Sequence, residues 1–236
     1  MHKISTAVNR DDSYGKSTGK TEYISDIKLD GMLYMAIKHA DFQHGLINTI
    51  TKPGLPDGYF CITADAFTGM NRASIVAQDW PFFAEEEVLY YGQPILAYAG
   101  PELEVCEDLC NAVMIDYSEL PSVSVIEEAV EFFNDYTIVK GNPDEAFDDA
   151  DRVFENSYRT GIQEQAYMEP QGMIADFTDD VLTVRGSMQC PYYIKNALTD
   201  AFNLGDDAVR VIQSVTGGAF GGKEDYPSIL AGHASA

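Results

Sequence analysis

The sequence points to an α+β fold, on the strength of three features. Short apolar or alternating runs bounded by turn residues recur along the chain. Two segments repeat apolar residues at helical spacing. An acidic, weakly patterned stretch from 122 to 140 separates an earlier set of elements from a later one. With 236 residues, 45% of them hydrophobic, the chain is long enough for one large domain or two smaller ones with buried cores.

Residues 1–19 are polar and rich in Gly and Ser, and read as an arm. Leu33–Ile37, Ile47–Ile50 and Tyr59–Thr63 are strand candidates, bounded by Asp30-Gly31, Lys52-Pro53-Gly54 and Pro56-Asp57-Gly58. Ile95–Ala99 is another strand, closed by Gly100-Pro101, and the proline is placed for the first turn of a helix. In that helix Leu103, Cys106, Cys110, Val113 and Met114 share one face, while Glu102, Glu104, Glu107 and Asp108 favour its N-terminal end. Met114–Tyr117 reads as a strand.

After the crossing at 122–140 a second unit begins at Gly141. Asn142-Pro143-Asp144-Glu145 carries a helix start, with Asn142 as N-cap, Pro143 at the first position and Glu145 reaching back. That helix ends near Ala150. Val153–Tyr158, Met173–Phe177 and Val181–Val184 are strand candidates. Pro191 opens a helix in which Ile194, Ala197, Leu198, Ala201 and Phe202 form the apolar stripe and Gly205 is suited to stop it. Val209–Ile212 is the strand before a glycine-rich loop, and a further helix begins after Pro227. The division is therefore an arm at 1–19, a first unit at 20–121, a linker at 122–140 and a second unit at 141–236.

Charge excludes some functions. Fifteen Lys and Arg stand against 38 Asp and Glu, a net charge of −23, which repels phosphate backbones and anionic lipid and argues against nucleic acid or a membrane as partner. Residues 101–160 hold sixteen of the acids and three basic residues, and read as a solvated face. No run approaches the roughly 18 apolar residues of a membrane span, and Asn9–Asp12 interrupts the N-terminus before a signal-peptide core develops, so a cytoplasmic location is expected. Cys61, Cys106, Cys110 and Cys190 lack the paired spacing of zinc or iron–sulfur ligands and read as reduced thiols, with Cys106 and Cys110 in a core. His2, His39, His44 and His233 show no metal-ligand spacing either.

The chemistry concentrates in Thr216–Asp225. Gly217, Gly218, Gly221 and Gly222 offer bare backbone N–H groups to a ligand, with Phe220 between them and Lys223-Glu224 behind. Gly217–Lys223 fits G-x-x-x-x-G-K, most of a phosphate-binding loop. Glu224 stands where Ser or Thr would hold Mg²⁺, and its charge opposes phosphate. The loop suits a different polar ligand, partly covered by the Phe220 ring. Glu224 is either solvated, paired to Lys223, or placed to orient a heterocycle. Gln163, Gln165 and Glu169 form a second polar cluster around Ala166, Tyr167 and Met168. Its amides are either structural or donors to a metal-bound oxygen.

Four stretches, in order over nearly the whole chain, carry a family resemblance. They are Gly19–Tyr23 through Gly31–Tyr34 and His44; Gly92–Ile95 with the following helix and Asp116–Pro121; Gln163–Gln171; and Gly217–Asp225. The sequence resembles the molybdenum-binding subunit of the xanthine dehydrogenase and aldehyde oxidase family of molybdenum hydroxylases. The resemblance implies an α/β hammerhead domain at 20–121 and the truncated start of the first molybdopterin-binding domain at 141–236. It implies a molybdenum-pterin cofactor, with the cytosine dinucleotide form left open, and 2Fe-2S and FAD groups on partner subunits or domains.

By the same resemblance Gln163 is a catalytic and cofactor-binding residue. Gly218, Ala219, Phe220 and Gly221 line the metal and pterin, and Glu224 is a catalytic and substrate-binding residue that orients a purine or related N-heterocycle. No side chain ligates the metal directly. Gln165 stands where the family commonly has histidine, and Ala219 where it commonly has glycine. The family's remaining catalytic groups belong to sequence after residue 236, so the expectation is a fragment, inactive by itself, without retained cofactor and prone to self-association. Two alternatives remain: a non-catalytic assembly module that keeps the hammerhead domain, and a phosphate or nucleotide binder acting through the glycine-rich loop.

Overall fold

The structure is a computed structural model that describes residues 7–73, 78–132 and 134–224. The helix expected after Pro227 lies outside the described residues. The N-terminal arm contains a short helix, α1 (Ser13–Ser17), with no buried residue. Seven strands follow: β1 (Tyr34–His39), β2 (Gly45–Thr51), β3 (Phe60–Ile62), β4 (Arg72–Ala73), β5 (Trp80–Pro81), β6 (Glu87–Val88) and β7 (Pro94–Gly100). Then come α2 (Leu103–Ala112), β8 (Met114–Glu119), α3 (Pro143–Asp148), β9 (Met173–Thr178), β10 (Val181–Gly186), α4 (Pro191–Phe202) and β11 (Val209–Gln213). Mixed helix and strand is thus the α+β class expected.

The chain forms two compact units, one built from residues up to Leu120 and from Gln165 onward, the other Pro121–Glu164. In the first, β7 is the centre of the antiparallel sheet β1-β7-β3 and all seven of its residues are buried. Alternation explains this. Leu96 and Tyr98 pack on Cys106, Leu109, Cys110 and Val113 around α2, and Ala97 and Ala99 face a cluster containing Ile194 and Leu198 of α4. Burial pushes the Cys110 thiol up to about 11, so these cysteines behave as small core residues. A second sheet, β6-β2-β8, packs Phe42 flat on Tyr117, with ring centroids 3.7 Å apart.

Two details of α2 differ from expectation. Glu102, in extended conformation, is the cap, so Pro101 precedes the helix instead of opening it. Leu103 and Met114 are exposed and Leu109 takes the inner position, because the helix stops at Ala112 and Met114 already belongs to a strand.

Residues from Gln165 build a three-stranded sheet, β9-β10-β11. β9 and β10 are an antiparallel hairpin closed by Asp179-Asp180, with φ of +53° and +61°, a pair of left-handed residues whose twist suits a two-residue turn. β10 and β11 are parallel, so the chain must cross over between them, and α4 is that crossover. All five predicted stripe residues of α4 are buried. The helix ends at Asn203, at φ +51°, rather than at Gly205, because asparagine also tolerates the left-handed conformation.

In the Pro121–Glu164 unit, Asn142 caps α3 as expected. Its Oδ1 accepts from the Glu145 N–H at 3.4 Å, and its side-chain amide donates to Glu145 at 3.1 Å. Val153–Tyr158, expected as a strand, is irregular and exposed, with no strand pairing among the described residues. A strand needs a neighbour for its ladder, and local β-propensity does not supply one.

Candidate functional site

Because β10 and β11 are parallel, their C-terminal ends lie at the same edge of the sheet, the edge where ligands of such units are bound. Ser187-Met188-Gln189 leaves β10 there, and Ser214–Glu224 leaves β11. Glu169, from the segment before β9, is drawn into the same place. Its Oε2 accepts from the Gly217 N–H at 2.6 Å, the Ser187 hydroxyl at 2.7 Å and the Lys223 ammonium at 2.9 Å. Lys223 is fully buried, donates to Ser187 Oγ at 3.0 Å, and lies 4.7 Å from the centre of the Tyr167 ring. Burial pushes the Glu169 carboxyl up, but the three donors outweigh it and hold the group below the usual carboxylate range. Its other oxygen, Oε1, is buried without a hydrogen-bond partner among the described residues.

Amide side chains complete the frame. Gln189 Oε1 accepts from the backbone N–H of Gly221 at 3.0 Å and of Lys223 at 3.3 Å. The Gln189 backbone N–H donates to the Lys223 carbonyl at 2.6 Å, and the Gln171 side chain donates to the Gly222 carbonyl. Two glycines are required by close approach. A Cβ on Gly217 would sit 2.5 Å from that of Glu169, and one on Gly222 would sit 2.6 Å from the Tyr167 ring. The loop is therefore tied inward at both ends.

Its middle faces outward. Gly218, Phe220 and Gly221 have φ of +100°, +51° and +89°. Left-handed geometry at a phenylalanine is uncommon and carries strain that the surrounding bonds must hold. Phe220 is 75% exposed, and among the described residues a Cβ on Gly221 would meet nothing within 4 Å. Open space before bare backbone, beside an exposed ring, fits a large group laid against the loop's outer face.

Of the residues singled out in the sequence, Gly218, Ala219, Phe220, Gly221 and Glu224 lie together on this loop, with Ala219 buried and Glu224 exposed. Gln163 lies in the Pro121–Glu164 unit, exposed and in irregular backbone. Gln165 touches the loop, its side-chain carbonyl carbon 3.2 Å from where a Cβ on Gly222 would stand. Lys223 is buried and pairs with Glu169, while its neighbour Glu224 is exposed. Sequence reasoning missed Ser187, Gln189 and the burial of Lys223. The only signal was position, a hydroxyl and an amide directly after the strand Val181–Gly186. Among the described residues no group of three His, Cys, Asp or Glu could hold a metal ion, and no helix is long and apolar enough to cross a membrane.

A crossover unit with a tied glycine-rich loop at its strand ends thus follows β-rich structure built around a central buried strand. Two family profiles match. Residues 18–121 match the aldehyde oxidase and xanthine dehydrogenase a/b hammerhead domain, and residues 126–236 match a molybdopterin cofactor-binding domain. The chain is 30% identical to a probable xanthine dehydrogenase subunit of Bacillus subtilis, over 94% of this chain and 32% of that protein. It is also 30% identical to the nicotinate dehydrogenase large molybdopterin subunit of Eubacterium barkeri, over 91% and 54%.

Aldehyde oxidoreductase from Desulfovibrio gigas has the same fold, with a TM-score of 0.83 at 23% identity, over 96% of this chain and 28% of that one. The chain belongs to the xanthine dehydrogenase and aldehyde oxidase family of molybdenum hydroxylases. It spans about a third of the length of one of these curated relatives and about half of the other.

Proposed function

We propose that this chain supplies one wall of a molybdenum-pterin site that oxidatively hydroxylates a purine or related N-heterocycle. One observation carries the reading: the loop end that buries Lys223 turns the next carboxylate, Glu224, outward on the same loop as the exposed Phe220 ring. The names of relatives support the substrate class, since one is a nicotinate dehydrogenase and another, at 27% identity, a nicotine 6-hydroxylase. Gly218, Ala219, Phe220 and Gly221 would hold the cofactor, in its molybdopterin or cytosine dinucleotide form. When bound, that group supplies Lewis-acid activation of oxygen and accepts the substrate's two electrons.

The chain's own residues position and orient. Gly221 and Phe220 place backbone and ring against the bound group. Glu224 accepts a hydrogen bond from a ring N–H of the heterocycle and fixes which carbon is presented. Electron transfer would run through iron–sulfur and FAD groups on partner subunits or domains in the cytoplasm. The hammerhead domain at 20–121 and the cofactor-binding part from 141 would meet the rest of the site there, and the isolated chain would be inactive.

Glu224→Gln in the assembled, molybdenum-loaded enzyme tests the reading. Losing a charge-assisted bond to substrate is expected to lower kcat/KM for purines by on the order of tenfold to a hundredfold, with molybdenum content unchanged. An unchanged purine rate would remove Glu224 from the site.

A second reading, an assembly module, is favoured by the Pro121–Glu164 unit, where Ile126, Phe132, Tyr136, Ile138, Phe154 and Tyr158 are exposed amid acids.

A further inference from the structure

We propose that Glu169 and Lys223 are positioning residues, a charge clasp that closes both stems of the Gly217–Gly222 loop at once and so fixes the outward aim of Phe220 and Glu224. The inference rests on the reading of that loop as a site wall. It goes beyond that reading by assigning work to two residues whose charged groups face away from the loop's outer face.

A single carboxylate oxygen gathers the key contacts. Glu169 Oε2 receives the N–H of Gly217, the first loop residue, and the ammonium of Lys223, the residue directly after the loop, at 2.6 and 2.9 Å. Neither stem can move without breaking a charge-assisted bond inside a buried space. Ser187 Oγ bridges the pair, accepting from Lys223 at 3.0 Å and donating to Glu169 at 2.7 Å. The Tyr167 ring covers the ammonium from another side.

Between the stems the backbone is held in left-handed geometry at Gly218, Phe220 and Gly221, which an untied loop would not keep. Gln189 ties Gly221 and Lys223, at one stem, whereas the clasp reaches Gly217 as well and so spans both. A buried ion pair is weak as a source of net stability yet costly to break on one side, a combination suited to a device that specifies one conformation.

Hydrogen exchange of the backbone amides of Gly217, Gly221 and Lys223 in the full chain reads the clasp without any cofactor. In Glu169→Gln the ammonium is left buried without its counter-ion, and exchange at these three amides is expected to rise at least ~tenfold over the parent while β7 is unchanged. Lys223→Met is expected to give a smaller rise. The double variant Glu169→Gln/Lys223→Met is expected to match Lys223→Met, a non-additivity that packing alone would not produce.

Unchanged exchange at the three amides in Glu169→Gln, a rise shared equally by β7, or additive effects in the double variant would each overturn the proposal. If Glu169→Gln does not fold, Lys223→Met decides: a rise confined to the loop supports the clasp, and none overturns it. A clasp that passes while Glu224→Gln leaves purine oxidation intact would leave the loop geometry standing and remove only the functional reading.

Discussion

β7 and the glycine-rich loop are both ordered, and they are ordered by opposite means. Every residue of β7 is buried, with Leu96 and Tyr98 packed toward α2, Ala97 and Ala99 toward the α4 cluster and Ile95 against Phe42 and Val88, so many weak apolar contacts share the work. The loop has four glycines and an exposed ring, and its order rests on a few charged or polar bonds gathered at Glu169, Lys223 and Gln189. A strand held by area degrades gradually when trimmed. A loop whose two stems share one carboxylate loses both of those ties in a single step, and that step leaves a buried charge behind.

The largest effect is expected from Glu169→Ala, which removes the loop's counter-ion and leaves the Lys223 ammonium buried. Breaking one side of a buried pair costs about 3–5 kcal/mol, read as a shift in the urea midpoint. Leu198→Ala, in the fully buried stripe of α4, is expected to cost about 2–5 kcal/mol by cavity formation, with its loss of protection spread across β7 and α4 instead of the loop. A Leu198 variant that unprotects the loop first would erase the contrast between the two regions.

A smaller effect follows from pH. The Glu169 carboxyl is held below its ordinary value in the folded chain, so its stabilisation is fully present above the unfolded carboxylate pKa, about 4.3, and is lost as pH falls through the lower folded value. Urea midpoints measured from pH 6 down to pH 3 are expected to fall less steeply in Glu169→Gln than in the parent. Equal slopes would show that the carboxylate is not the group that titrates. The smallest effect belongs to Phe220→Ala, where an exposed ring is removed and stability is expected to change within about 0.5 kcal/mol.

The same contrast explains what was legible in the sequence. Ile194, Ala197, Leu198, Ala201 and Phe202 announce α4 because a helix buries residues at a fixed local period, and all five are buried. Asn142 announces the start of α3 because a cap bonds three residues ahead, to Glu145. The clasp was not legible. Glu169 and Lys223 stand 54 residues apart, and nothing local to either marks the other. The sequence left open whether Glu224 pairs with Lys223, but the lysine is buried against Glu169 and the glutamate is exposed. Val153–Tyr158 failed for a related reason: its residues suit a strand, but a strand exists only where another element offers a ladder. The family resemblance reached the loop by motif, and the structure adds why Gly217 and Gly222 cannot carry a side chain.

Under the proposed function, the outer face of the Gly217–Gly222 loop forms a wall of the molybdenum site. X-ray data collected at the molybdenum absorption edge from crystals of the cofactor-loaded, assembled subunit would locate the metal without reference to activity. The strongest anomalous peak is expected on the outer side of the loop, beside Phe220 and Gly221. A molybdenum peak remote from that loop would contradict the assignment.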